Sequence, residues 1–278
     1  MKTVCRACMH QCRLEPGQRG ICRGRKNEGG RIICENYGQI TSLALDPIEK
    51  KPLKMFRPGS IILSVGSYGC NMRCPFCQNH EISMACGKER NTIFLSPQAL
   101  AETALKYAGK VCGVAYTYNE PLTGWEYVRD TAKLVKEFGL ENVLVTNGTA
   151  SREVLDEILP YIDAMNIDLK SFRKETYRKY GGDLDAVREF IIRASEACHV
   201  ELTTLIVPGE NDDVQEMEEE AGWIASVEKS VGKKIPLHVT RFFPRYHMTD
   251  RTATEAGRVY QLAETAGKYL EYVFVGNC

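Results

Sequence analysis

The stretch Ile61-Ile62-Leu63-Ser64-Val65-Gly66-Ser67-Tyr68-Gly69-Cys70-Asn71-Met72-Arg73-Cys74-Pro75-Phe76-Cys77-Gln78-Asn79 joins a β-branched run to three cysteines at spacing C-x3-C-x2-C on one short loop. Three thiolates so placed suit a cube of iron and sulfide. A four-iron cluster normally takes four cysteine ligands, so one iron would stay open to a small molecule that binds through amino and carboxylate groups. Phe76, immediately before the last cysteine, offers a face for an aromatic base beside such a cluster. A zinc site or three unrelated thiols are the other readings. Zinc ligand pairs usually come as two C-x2-4-C knuckles, and no second knuckle follows nearby downstream.

Outward from this loop toward the carboxyl end, short β-branched runs alternate with amphipathic helical stretches, the pattern of parallel strands joined by crossover helices. The strand candidates are Ile61-Gly66, Val111-Thr117, Val143-Thr146, Ala164-Asp168, Glu201-Val207 and Leu237-Thr240. Ser96-Pro97 predicts a helix start and Gly109 its stop. Trp125, Val128, Ala132 and Val135 form the next apolar stripe, ended by Gly139. Asp212 or Asp213 opens a later helix with Val214, Met217, Ala221, Ile224 and Val231 on one face, and the acidic run Glu216 to Glu220 reads as its solvated side. Chemistry-bearing residues fall where the strands end: the cysteine loop, Tyr118-Asn119-Glu120-Pro121, Asn147-Gly148, Asp168-Leu169-Lys170, Pro208-Gly209 and Phe242-Phe243-Pro244-Arg245-Tyr246-His247.

Residues 1 to about 58 read differently, as a small appended domain with Gly and Arg clusters and an expected hairpin over Arg31 to Leu45 turning at Gly38. Their cysteines, Cys5-x2-Cys8-x3-Cys12-x9-Cys22, predict a structural zinc site, with an auxiliary iron-sulfur cluster or metal-free thiols as the other readings. The segment is basic, but it has no aromatic residue before Tyr37, which argues against a single-stranded nucleic-acid platform.

Over its 278 residues the chain balances 36 basic against 36 acidic side chains, so no global pull toward nucleic acid or membrane is expected. No apolar window approaches a membrane span and no leader pattern opens the sequence, which predicts a cytoplasmic protein. Twelve cysteines in that compartment read as metal ligands plus buried small residues, the latter including Cys34, Cys86, Cys112, Cys198 and Cys278.

The motif C-x3-C-x-aromatic-C resembles the radical S-adenosylmethionine (SAM) superfamily. Together with Asp46-Pro47-Ile48-Glu49-Lys50-Lys51-Pro52-Leu53, Tyr116 to Pro121 and Val275-Gly276-Asn277, the sequence resembles the radical SAM proteins of the AmmeMemoRadiSam system, which are similar to pyruvate formate-lyase activating enzyme. The resemblance implies an α/β fold, a partial (β/α)6 TIM-like barrel over residues 59–278 behind the small Cys-containing N-terminal domain. It also implies a [4Fe-4S] cluster on Cys70, Cys74 and Cys77, SAM as cosubstrate, and an electron donor such as flavodoxin or ferredoxin. Phe76, Tyr118, Asn119, Glu120, Asn147, Asp168 and Lys170 become candidates for holding the cofactor, and Lys170 and His247 the candidate catalytic residues. Two departures stand out: the family's Gly-Gly before Glu-Pro is Tyr118-Asn119 here, and an Asp of the glycyl-radical-enzyme activases is Val145. The expected reaction is reductive SAM cleavage to a 5′-deoxyadenosyl radical that abstracts hydrogen from a small-molecule or protein substrate. Activation of a glycyl radical enzyme and non-catalytic electron transfer are the alternatives.

Overall fold

The computed structural model describes residues 1–87 and 91–278. Its strands are β1 Thr3–Val4, β2 Arg13–Leu14, β3 Arg25–Glu28, β4 Arg31–Cys34, β5 Gln39–Ile40, β6 Ser42–Pro47, β7 Ile61–Gly66, β8 Ile93–Phe94, β9 Val111–Tyr116, β10 Glu141–Thr146, β11 Ala164–Asp168, β12 His199–Ile206, β13 Leu237–Arg241 and β14 Val273–Gly276. The α-helices are α1 His80–Ser83, α2 Pro97–Lys106, α3 Trp125–Glu137, α4 Arg152–Ile158, α5 Lys174–Lys179, α6 Leu184–Ala197, α7 Val214–Val231 and α8 Ala256–Ala266.

Among the described residues the largest sheet has eight strands in the order β14-β13-β12-β11-β10-β9-β7-β6. All neighbours in it are parallel except β6, which runs antiparallel beside β7. Each expected strand is present, and the fold is the partial TIM-like barrel of α/β class. Side chains alternate across the strands as strand geometry requires. Leu63, Val114, Leu144 and Met165 pack outward in the large core that includes helix residues such as Leu100, Val128 and Ile191, whereas Ile62, Ala115, Val143 and Ala164 face inward against Ile48 and Leu53. The segment from Ile48 to Phe56 therefore lies across the inner face as a plug. The Asn166 amide donates to Pro52 O (2.9 Å), and the Glu201 carboxylate accepts from Lys54 N (2.9 Å) and Met55 N (2.8 Å).

Helix starts follow the capping signals. Ser96 Oγ accepts from Ala99 N (3.2 Å) ahead of α2, and Asp213 Oδ1 accepts from Glu216 N (2.9 Å) ahead of α7.

Three expectations are corrected. The hairpin lies not over Arg31 to Leu45 but between β3 and β4, because Gly29 and Gly30, both at positive φ, supply the tight two-residue turn that Gly38 was expected to make. β5 instead pairs with β8. The sheet does not break at residue 58, since β6 and the plug already belong to the barrel. Finally, the acidic run of α7 is not wholly solvated: Glu216 and Glu220 are buried. Helical spacing turns both inward, where Glu216 accepts from Ser171 Oγ (2.6 Å) and Phe172 N (2.6 Å), and Glu220 from Thr204 Oγ1 (2.5 Å). Burial pushes the Glu220 carboxyl up to about 8.

Candidate functional site

The loops that leave the C-terminal ends of the parallel strands meet at one mouth, and the cysteine loop is its centre. Gly69 opens that loop at φ +91, and a Cβ there would stand 2.6 Å from the carbonyl oxygen of Cys22, so the turn demands glycine and the N-terminal segment lies directly against it. Cys70 Sγ is approached by the Met72 amide (3.4 Å) and by the Asn147 side-chain amide (3.7 Å). Burial pushes the Cys74 thiol up to about 11, opposed chiefly by the nearby Lys170 charge. Among the described residues no three His, Cys, Asp or Glu side chains are grouped closely enough to hold a single metal ion. Three thiols spread over one loop, with amide donors at Cys70 Sγ and a lysine charge near Cys74, suit an anionic sulfide-bridged cluster better than one ion, so the residues present fit a [4Fe-4S] cluster with one open iron.

Lys170 is mostly buried at the end of β11, with its Nζ 2.8 Å from Asp168 Oδ2. Burial disfavours its charge, but Asp168 and Cys74 outweigh that and hold its pKa well above the usual range. Phe76 is also buried, edge-to-face with Tyr180 at 5.1 Å and with Phe242 at 6.4 Å between ring centroids.

The turn after β9 carries Tyr118-Asn119 before Glu120-Pro121. Tyr118 adopts φ +73, the left-handed conformation that glycine would favour. A non-glycine residue there costs on the order of 1–3 kcal/mol and persists only where its surroundings hold it. The Tyr118 hydroxyl donates to Asp46 Oδ2 (2.7 Å), Lys51 Nζ sits 4.7 Å over its ring, and its carbonyl accepts from Asn79 Nδ2 (2.7 Å). Lys51 and Asp46 are themselves a buried ion pair at 2.8 Å.

The side chains of the next two candidates are engaged within the protein. Asn119 donates to Tyr68 O (3.2 Å) and Gly69 O (3.0 Å) and accepts from Ser67 N (3.0 Å). Glu120 is buried and accepts from Leu122 N (3.0 Å), Thr146 Oγ1 (2.8 Å) and Asn147 N (2.8 Å), and burial pushes its carboxyl up to about 7 despite those bonds. Glu120 thus ties the ends of β9 and β10 together, and its side chain is spent on that link. Asn147 spends its amide on Asn71 Oδ1 (2.9 Å) and Cys70 Sγ, which makes it a support of the cysteine loop.

His247 is exposed, and its backbone amide donates to Pro75 O (2.9 Å), so the loop after β13 closes on the cysteine loop. Tyr246 beside it stacks on His80 at 4.3 Å. Sequence reading missed Asn71, Asn79 and His10, whose ring Nε2 donates to Asn71 O (2.8 Å). No spacing announces a side chain that serves a loop 61 residues away.

A family model described as the Radical SAM superfamily matches residues 64–221. The chain is 37% identical over 279 residues to an uncharacterized protein of Methanocaldococcus jannaschii, covering 99% of this chain and 81% of that protein. It is 29% identical over 153 residues to pyruvate formate-lyase 1-activating enzyme of Escherichia coli K12, covering 52% of this chain and 61% of that enzyme. The crystal structure of Streptococcus suis SuiB bound to S-adenosylmethionine superposes with a TM-score of 0.58 at 13% identity, covering 76% of this chain and 48% of that one. A domain of pyruvate-formate lyase-activating enzyme from Bacteroides vulgatus superposes with a TM-score of 0.50 at 21% identity, covering 59% and 99%.

Proposed function

The chain belongs to the radical SAM superfamily, and on that premise we propose that it reductively cleaves SAM to methionine and a 5′-deoxyadenosyl radical for hydrogen abstraction from a substrate. The observation that carries this reading is the meeting of the Cys70-Cys74-Cys77 loop with the Lys170–Asp168 pair at one end of the barrel. When bound, the cluster supplies one electron and an open coordination position. The residues supply placement. Lys170, fixed by Asp168, offers an ammonium to a carboxylate, while Asn147 and the Met72 amide stabilise negative charge on Cys70. The turn at Tyr118 presents backbone groups to the amino end of the ligand, with Glu120 as its buried anchor. His247 stands at the rim as a proton donor or substrate contact.

A flavodoxin or ferredoxin is the electron donor of this proposal, and the cytoplasm its place of action. Among the described residues no helix is long and apolar enough to cross a membrane. A glycyl-radical-enzyme activase is the second reading, favoured by the Escherichia coli relative and by a Methanocaldococcus jannaschii protein named as a putative activating enzyme of that kind, 28% identical over 52% of this chain.

Anaerobically reconstituted protein given a strong reductant and SAM should form 5′-deoxyadenosine and methionine. Cys77→Ala should lose about four irons and their sulfide relative to wild type, together with that product. An unchanged iron count, or no 5′-deoxyadenosine from wild type, overturns the assignment. An organic radical on a partner protein, abolished by replacing its glycine, selects the activase reading.

A further inference from the structure

The four amino-terminal cysteines are far from idle. Cys5, Cys8, Cys12 and Cys22 line one small cavity set between the N-terminal segment and the barrel. They arrive there from separate pieces of backbone. Cys5 and Cys12 face each other across the β1–β2 hairpin, joined by the Cys5 N to Cys12 O bond of 2.9 Å, and Cys8 bridges to Ala150 beyond β10. A Cβ on Gly20 would lie 3.7 Å from Cys12 Sγ and 3.8 Å from Cys22 Sγ, which sets those two thiols on one wall.

Two observations point to a ligand in that space. Arg25 is buried on the cavity wall, its terminal nitrogens paired with Glu126 (2.6 and 2.8 Å), yet its Nε has no hydrogen-bond partner. A buried donor left unpaired costs free energy, and an anionic group in the cavity would satisfy it. The thiols also are not gathered as one metal ion would gather them. Around zinc, with Zn–S about 2.3 Å, tetrahedral sulfurs stand about 3.8 Å apart. Among the described residues no three such ligands are grouped closely enough for a single ion. A cube of iron and sulfide holds its thiolates at its corners, much farther apart, and carries net negative charge with four cysteines.

We infer that Cys5, Cys8, Cys12 and Cys22 hold a second, fully ligated iron-sulfur cluster rather than a zinc ion, with the Arg25 Nε–H directed at it. The site adjoins the first cysteine loop. Asn71 lines the same cavity as Cys8, its Oδ1 accepts from Asn147 Nδ2, and the same amide reaches Cys70 Sγ. Asn71 thus stands between the two sets of thiols.

The test counts iron, acid-labile sulfide and zinc in protein isolated and reconstituted anaerobically. Wild type is expected to hold about eight irons, two cubes of four, and Cys70/Cys74/Cys77→Ala about four, with the visible charge-transfer absorbance kept. About four irons plus one zinc in wild type, or zinc without iron in the triple variant, assigns the site to zinc and overturns the inference. So does a wild type with four irons and no zinc. The wild-type count does not depend on a variant folding. It is also separate from the SAM-cleavage reading, which the Cys77→Ala experiment tests alone.

Discussion

Glu120 at the mouth of the barrel and Glu201 beneath it are both buried carboxylates, and the protein pushes them in opposite directions. Burial raises each, but Glu120 meets neutral donors and rises to about 7. Glu201 accepts from His199 (2.9 Å), His238 (2.7 Å) and two backbone amides of the plug, and these bonds hold it down at about 2. The difference is one of purpose as well as of hydrogen bonding. The lower site is a closed set of donors around one anion and fixes the plug to the strands. At the mouth, side-chain polarity is spent on shaping loops, with Lys170, Tyr118 and the cysteines held in costly conformations or buried states. The lower site is built for stability, and the mouth is where the proposed binding would take place.

Removing the lower anion gives the largest expected effect. Glu201→Ala leaves two amides and two imidazoles without their acceptor and should cost about 3–5 kcal/mol, read by chemical denaturation. Its pH signature is also fixed: the folded-state pKa lies below the unfolded value of 4.5, so the stability it contributes is full above pH 4.5 and is lost as pH falls toward about 2. A wild-type stability that stays flat across that window would break the contrast between the two carboxylates.

Lys170→Ala probes the mouth. SAM affinity should fall on the order of 1.5–3 kcal/mol, measured as a dissociation constant, while the unfolding midpoint moves little because Asp168 is part-exposed and can be hydrated. A variant that loses as much stability as Glu201→Ala with unaltered SAM binding would make Lys170 a structural cation.

Glu120→Gln is the mildest change. It preserves shape and removes one acceptor, so a loss of about 1 kcal/mol is expected in denaturation, with the cluster loop still able to take up iron. A loss comparable to that at Glu201 would show that the mouth is as tightly built as the plug.

The strands, their order of chemistry-bearing ends and the three-cysteine loop were legible because each depends on local sequence: period-two apolar runs, caps such as Ser96 and Asp213, and ligand spacing within eight positions. The hairpin at Gly29-Gly30 is equally local, but Gly38, also at positive φ, carries the same turn signal, so sequence alone does not choose between them. Glu120, Asn147 and Phe76 were legible as members of the candidate site but not in the contacts they make, since whether a side chain faces the cavity or the protein is set by what packs behind it.

By itself the sequence determined the alternating α/β pattern, the three-cysteine loop and the family to which the chain belongs, because hydrophobic period and cysteine spacing act over a few residues. Only the tertiary structure decided that residues 42–56 complete the barrel, that Tyr118 takes a glycine's conformation under the hold of Asp46 and Lys51, and that Cys5, Cys8, Cys12 and Cys22 share a cavity with an unpaired Arg25 nitrogen. Those outcomes rest on contacts between segments far apart in the chain, where burial and hydrogen-bond satisfaction choose among conformations that local sequence leaves equally open.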